Sequence, residues 1–489
     1  MVVGRLGFGQ ERGSRGVLSL PLLVIVLIVG VLLALAAPLY SLVGWKLLLS
    51  YNQGFWSMAG IRFDYIDVII GCLVLGLLLR GQFKKGESRK VPYLFPWFML
   101  GMFLSMAYLV APQNQDNLTD PFRIGYQLYR YCWKPLAFYP LVVILLRDPQ
   151  RLQTIIYCMV LGFDICAIEA VRQGYDGVDA TPGPFGHGNA FASVLVAPLV
   201  LSCATLLFTR SWPQRIFFGS SAILMARALL FCKSRAGMAS VVLSLGFMAF
   251  WFIFVRLGRT RILQAAPVVL VGVLAIFAIR PDILQRSSVQ HALSMTDGTK
   301  ASTMQWRMTE RWPHFIGLAL KKPILGTGTA VDRSLGERAN TPHNGYIALA
   351  VRVGFPAAFL YIFFGAQSII NGVRAFLKYR ITRLKIFAIM SASPLIGIMA
   401  HNMIESTITG LVLLQNFFWM LCGFCTLARF FPEKMSTPEE VQALAKVRAV
   451  EEAVWSGKVV PPPGKGWGDS SWADEGWVSG HPAGVSAER

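Results

Sequence analysis

Charge is scarce in this chain of 489 residues. Asp, Glu, Lys and Arg make up 15% of it, where soluble domains carry about 25%. Hydrophobic residues make up 54% and the mean hydropathy is +0.52, which excludes an ordinary soluble domain. Acid is scarcer than base, with 26 Asp and Glu against 46 Lys and Arg, a formal net charge of +20. The eight cysteines supply no disulfide framework, because Cys72, Cys158, Cys166, Cys203, Cys422 and Cys425 sit inside apolar runs. Cys422 and Cys425 have redox-motif spacing, but a reactive thiol needs a polar, accessible setting. The six histidines, at 187, 291, 314, 343, 401 and 481, show no metal-ligand spacing. There is no HExxH, no phosphate-binding GxxxxGK[ST] and no internal repeat of solenoid length. No metal, cofactor or nucleic-acid partner is expected.

What the chain has is apolar runs. Several approach or exceed 18 residues, enough to cross a hydrocarbon core of ~30 Å as a helix. Helix is required because backbone groups in lipid must be satisfied within the segment. Twelve spans are expected: 18–39, 65–79, 92–111, 134–146, 152–171, 189–208, 215–231, 236–255, 262–279, 346–371, 384–401 and 409–428. The expected fold is therefore all-α and polytopic. The tenth run holds Arg352, Gly354 and Pro356, which predicts a break into a short piece and a full span. The first run is too long for the apolar core of a cleaved signal.

Lys and Arg cluster in the loops after even-numbered spans, including Arg80 to Lys90, Arg147 and Arg151, and Arg374 to Lys385. The positive-inside rule makes those loops and both termini cytoplasmic. The long segment 280–343 then faces outward. It carries nine Lys and Arg against five Asp and Glu, and three of the six histidines. Topology gives no reason for that excess, so it reads as a surface for handling an anion. Residues 1–431 read as the transmembrane domain. In the tail, 432–489, Thr437 to Glu440 form a capping box that opens a short amphipathic helix. A Pro-, Gly- and Trp-rich stretch follows and reads as disordered.

The candidate site residues cluster at the outer ends of spans. Arg235 follows Lys233 and Ser234 in a short outward turn, with Arg227 two helical turns earlier. A guanidinium there grips phosphate bidentately or merely snorkels to the interface. Arg307 and Arg311 stand one helical turn apart between Trp306 and Trp312, as in a helix lying in the interface. Pro323, Gly326 and Gly328 form a turn. His343, beside Asn344, lies where the loop meets the next span, and a neutral imidazole there could take a proton from a hydroxyl. His401 and Glu405 end the eleventh span, and an ionisable group near hydrocarbon marks a functional site or a structural ion pair. Asn189 follows Gly186-His187-Gly188 at the start of the sixth span. Asp164 and Glu169 raise the same question with less context.

Five motifs in order, SRAGM (234–238), RMTERW (307–312), PILGTG (323–328), PHNGY (342–346) and HNMIES (401–406), resemble the O-antigen ligase and polymerase family. The resemblance covers about 180–428. It implies a glycosyltransferase of the bacterial inner membrane that moves a glycan from undecaprenyl diphosphate to a hydroxyl acceptor. The acceptor is lipid A-core in a ligase or the growing polysaccharide in a polymerase, and the reaction needs no nucleotide sugar or evident metal. By resemblance, Arg235 and Arg307 match diphosphate-binding arginines and His343 the catalytic histidine. Arg311, Asn189, Asn344 and His401 join them as candidate substrate-binding residues, and Glu405 as a candidate catalytic residue. The chain departs from the family at Arg352, where an acidic residue is common, so no acidic role carries over to that position. Ligase and polymerase remain alternatives, as does an anion or solute transporter, which would place ionisable groups at the midplane and show related halves. A non-catalytic assembly subunit is a further alternative.

Overall fold

A computed structural model describes residues 55–58, 61–64, 91–110, 124–125, 128–146, 149–178, 181–185, 187–209, 211–254, 305–328, 342–379, 381–407 and 412–432, with 441, 442 and 445. The expected spans 18–39, 65–79 and 262–279, most of the tail, and the stretches 280–304 and 329–341 lie outside the described residues. The other nine expected spans fall on helices. These are α1 (Leu94–Leu109), α2 (Lys134–Leu145), α3 (Pro149–Tyr175), α4 (Gly188–Phe208), α5 (Trp212–Phe231), α6 (Arg235–Phe254), α8 (Gly345–Lys378), α9 (Thr382–Ile404) and α10 (Val412–Phe430). Six of them, α3 to α6 with α8 and α9, are long and apolar enough to cross a membrane; α1 and α2 are shorter apolar helices. A further short helix, α7 (Trp312–Lys321), follows a π-helical turn at Arg307–Arg311.

The described bundle is helical, as expected. Beside it, strands β1 (Phe55–Met58) and β2 (Ile61–Asp64) pair antiparallel, with Met58 opposite Ile61. Phe, Trp and Ile favour strands, and two residues suffice to join such a hairpin. Runs of four residues are too short to show in a reading for membrane spans.

Helix α9 lies at the centre of the bundle, packed against α4, α6, α8 and α10. Small residues permit this. A Cβ on Gly397 of α9 would stand 2.2 Å from Ser244 Oγ and 2.8 Å from the Ser240 carbonyl oxygen of α6. Aromatic rings lock α10 to α8, with Tyr361 stacked on Phe418 at 4.3 Å and Phe364 edge-on to Trp419 at 5.2 Å. Because α9 touches four neighbours, whatever follows its end at Ile404 sits where several helices converge.

The predicted break in α8 is present. Gly354 has φ 83° and ψ 166°, outside the helical region. The turn after α7 fills the break: Phe355 N–H donates to the Pro323 carbonyl at 2.8 Å, while Thr327 and Gly328 N–H groups donate to the Val351 and Arg352 carbonyls at 2.8 and 2.9 Å. The break thus leaves these backbone groups satisfied. At 1.5 Å per residue, the part after Gly354 is ~36 Å long, enough for the ~30 Å core, and the nine residues before it form a separate short piece.

Candidate functional site

The site gathers around Glu405, one residue past α9. Its Oε2 lies 3.1 Å from His343 Nδ1. Its Oε1 accepts from Asn189 Nδ2 at 3.3 Å and stands 3.8 Å from Arg307 Nη2. Arg307 Nη1 also donates to the Ile404 carbonyl at 3.1 Å. Four segments therefore meet at one end of the bundle: the start of α4, the π turn before α7, the approach to α8 and the end of α9.

Burial sharpens the electrostatics. The Glu405 and Arg307 side chains are 14% and 16% exposed, and His343 keeps 32%. Burial pushes the Glu405 carboxyl up. The hydrogen bond and charge of His343, with the charges of Arg307 and His401, outweigh it and hold Glu405 below the usual carboxylate range. An ionised Glu405 only accepts, so its bond with His343 puts the neutral ring's proton on Nδ1. The Nε2 lone pair is left to take a proton from elsewhere.

The backbone at His343 is unusual. Its φ is +50°, in the left-handed region, which costs a non-glycine residue on the order of 1–3 kcal/mol. Neighbouring bonds define the geometry. Trp312 Nε1 donates to the Pro342 carbonyl at 3.0 Å, and Asn344 N–H donates to Ser406 Oγ at 3.0 Å. Asn344 itself caps α8, its Oδ1 accepting from Tyr346 and Ile347 N–H at 3.0 and 3.1 Å. Gly345 follows because its backbone abuts Asn402; a Cβ there would stand 2.7 Å from Asn402 Oδ1.

Arg307 and Arg311 lie close together. Burial and the Arg307 charge pull Arg311 below its ordinary value, as expected of two neighbouring like charges. The Arg311 guanidinium sits 5.1 Å above the Trp306 ring. Neither Arg307 Nε nor Arg311 Nε has a hydrogen-bond partner among the described residues.

The other candidates separate into distinct places. Arg235 is exposed at the first residue of α6, after Ser234, whose Oγ accepts from Gly237 N–H at 3.2 Å. Ser240 lies against Gly397, so Ala236, one turn nearer the site, faces His401. Arg235 thus belongs to the same end of the bundle as Glu405. His401 is fully buried one turn before Glu405, beneath the site rather than on its surface. Arg227 donates to the Tyr175 hydroxyl at 3.1 Å and lies over the Tyr175 and Phe231 rings, which fits an interface anchor. Asp164 accepts from Ser221 at 2.6 Å between α3 and α5, and Glu169 pairs with Arg172 at 3.2 Å. His187 caps α4 by accepting from Asn189 N–H at 3.2 Å, and His314 is exposed on α7. His291 and His481 lie outside the described residues. Two residues of the quoted motifs, Trp312 and Ser406, gain a role only from the geometry. Their hydrogen bonds run to backbone, which side-chain type and spacing do not reveal.

No curated protein matches the chain. Residues 220–362 match the family model described as O-antigen ligase. That stretch includes Arg235, Arg307, Arg311, His343 and Asn344 and ends before His401 and Glu405. Over that stretch the chain is similar to an O-antigen ligase domain.

Proposed function

We propose that this protein transfers a glycan from undecaprenyl diphosphate to a hydroxyl acceptor at the outer face of the inner membrane. The observation that carries the reading is the His343–Glu405–Arg307 cluster, a base-type imidazole held 3.1 Å from a carboxylate that also stands 3.8 Å from a guanidinium. The roles follow from chemistry. The acceptor oxygen attacks the anomeric carbon of the donor sugar and forms the new glycosidic bond. The anomeric C–O bond to the diphosphate breaks, and its electron pair leaves with the lipid diphosphate. The acceptor proton goes to His343 Nε2, and Glu405 stabilises the resulting imidazolium. Negative charge grows on the leaving diphosphate, and an anion bridging Arg307 and Arg311 both relieves their repulsion and is stabilised by them. Arg235, at the same end of the bundle, adds a third guanidinium. Direct displacement of this kind inverts the anomeric centre.

The acceptor distinguishes ligase from polymerase: a lipid A-core hydroxyl for the one, a sugar hydroxyl of the growing chain for the other. The test is conversion of undecaprenyl-diphosphate glycan by the purified protein in liposomes, with each acceptor supplied separately and no nucleotide sugar present. Acceptor-linked product is expected with one of them. Absence of product with both, together with solute flux across the liposomes, would replace the enzyme by a transporter.

A further inference from the structure

We infer that Trp312 and Ser406 are positioning residues for His343, one holding each of the two peptide planes that flank it. The inference rests on His343 being the base of the transfer reaction.

The observations are backbone contacts. The plane before His343 is held through the Pro342 carbonyl, which accepts from Trp312 Nε1 at 3.0 Å. The plane after it is held through the Asn344 N–H, which donates to Ser406 Oγ at 3.0 Å. The first plane sets φ of His343 and the second sets ψ. Between them the residue adopts φ +50°, which a non-glycine residue leaves unless its surroundings over-determine it. The two grips come from different elements, since Trp312 opens α7 and Ser406 lies two residues beyond α9. With both planes fixed, the direction of the Cα–Cβ bond is fixed too. The ring then turns only about its two side-chain torsions, and Glu405 holds Nδ1 at 3.1 Å. Nε2 is therefore aimed before substrate arrives.

Releasing one grip lets the segment 342–344 relax toward negative φ and swings the ring off its line. The Arg307 and Arg311 side chains, which carry donor binding, need not move. The expected signature is a fall in kcat without a matching rise in donor KM, because small misplacements of a reacting group cost up to about 10²-fold.

The experiment compares steady-state transfer from a lipid-diphosphate glycan by Trp312→Phe, Ser406→Ala, Ser406→Thr and His343→Ala in the full chain. Trp312→Phe keeps an aromatic ring and removes the N–H; Ser406→Thr keeps the hydroxyl. Ser406→Ala and Trp312→Phe are expected to lower kcat roughly 10- to 100-fold, with donor KM within about twofold of wild type. Ser406→Thr is expected to retain most of kcat, which a loss of packing alone would not reproduce. If Trp312→Phe does not fold, the Ser406→Ala and Ser406→Thr pair decides. Wild-type kcat in Ser406→Ala beside an inactive His343→Ala, or a loss confined to KM, would overturn the positioning role alone. Full activity of His343→Ala would instead overturn the base assignment beneath it.

Discussion

Glu405 and His343 are 62 residues apart in sequence and 3.1 Å apart in space. The contact joins the end of the central helix α9 to the left-handed turn that opens α8. It matters because one carboxylate orients the imidazole through Oε2 while Asn189 and Arg307 occupy its other oxygen. The cluster therefore links the group that would accept a proton to the group that would bind phosphate.

Glu405→Gln keeps the shape and removes the charge. Transfer should fall by roughly 10- to 100-fold, less than loss of the base itself, which is worth ~10²–10⁴. Stability should follow as well. The folded carboxyl is depressed below its ordinary value of 4.5, so its contribution is present above that value and disappears as pH falls through the lower folded value. Thermal unfolding of wild type and Glu405→Gln should differ most at neutral pH, and the gap should narrow under acid. A gap that widens in acid would contradict the ion-paired carboxylate.

Arg307→Lys and Arg311→Lys should each weaken binding of the lipid diphosphate. A lysine keeps the charge but not the planar fork, and a charged hydrogen bond is worth about 1.5–3 kcal/mol. That corresponds to ~10- to 100-fold in affinity, measurable by competition with undecaprenyl diphosphate. Wild-type affinity in both variants would leave these side chains as interface anchors.

Gly354→Ala tests the broken helix. An added Cβ would stand 2.1 Å from the Ile324 carbonyl oxygen, at a φ of +83°, in a region that only glycine occupies readily. The obstacle is backbone, so relief requires the turn 323–328 to withdraw from α8. A clear drop in unfolding temperature is expected, whereas Gly246→Ala, whose Cβ meets nothing within 4 Å, should be near neutral. Equal behaviour of the two would show that the turn does not depend on the break.

Much of this was legible in the chain. Nine expected spans fall on helices, and Gly354 with Pro356 marked the break in α8, because apolar length and helix breakers are local signals. Arg307, His343 and Glu405 were also legible by type and position. The pairing of Asn189 with Glu405 was not, since 216 residues separate them and packing order decides which helix ends meet. A helix cap beside His343 was legible too, since Asn is a preferred N-cap residue, and Asn344 fills that place. The burial of His401 was not, because residue type does not report which side of a helix end is covered. The left-handed backbone at His343 was likewise hidden, because tertiary bonds from Trp312 and Ser406 accompany it and no glycine marks it.

Orientation rests on the Lys and Arg pattern of the loops. Lys321 is exposed at the end of α7, on the same segment as Arg307. A Lys321→Cys protein in intact cells should react with a membrane-impermeant thiol reagent. Labelling only after permeabilisation would place the site on the cytoplasmic side and remove the proposed donor from reach.

The central claim is that His343 is the base for glycan transfer, and turnover by purified His343→Ala tests it most directly. Transfer from undecaprenyl-diphosphate glycan should fall by roughly 10²–10⁴-fold, while donor binding, carried by the arginines, should stay close to wild type. A folded His343→Ala protein that transfers glycan at the full rate would contradict the account.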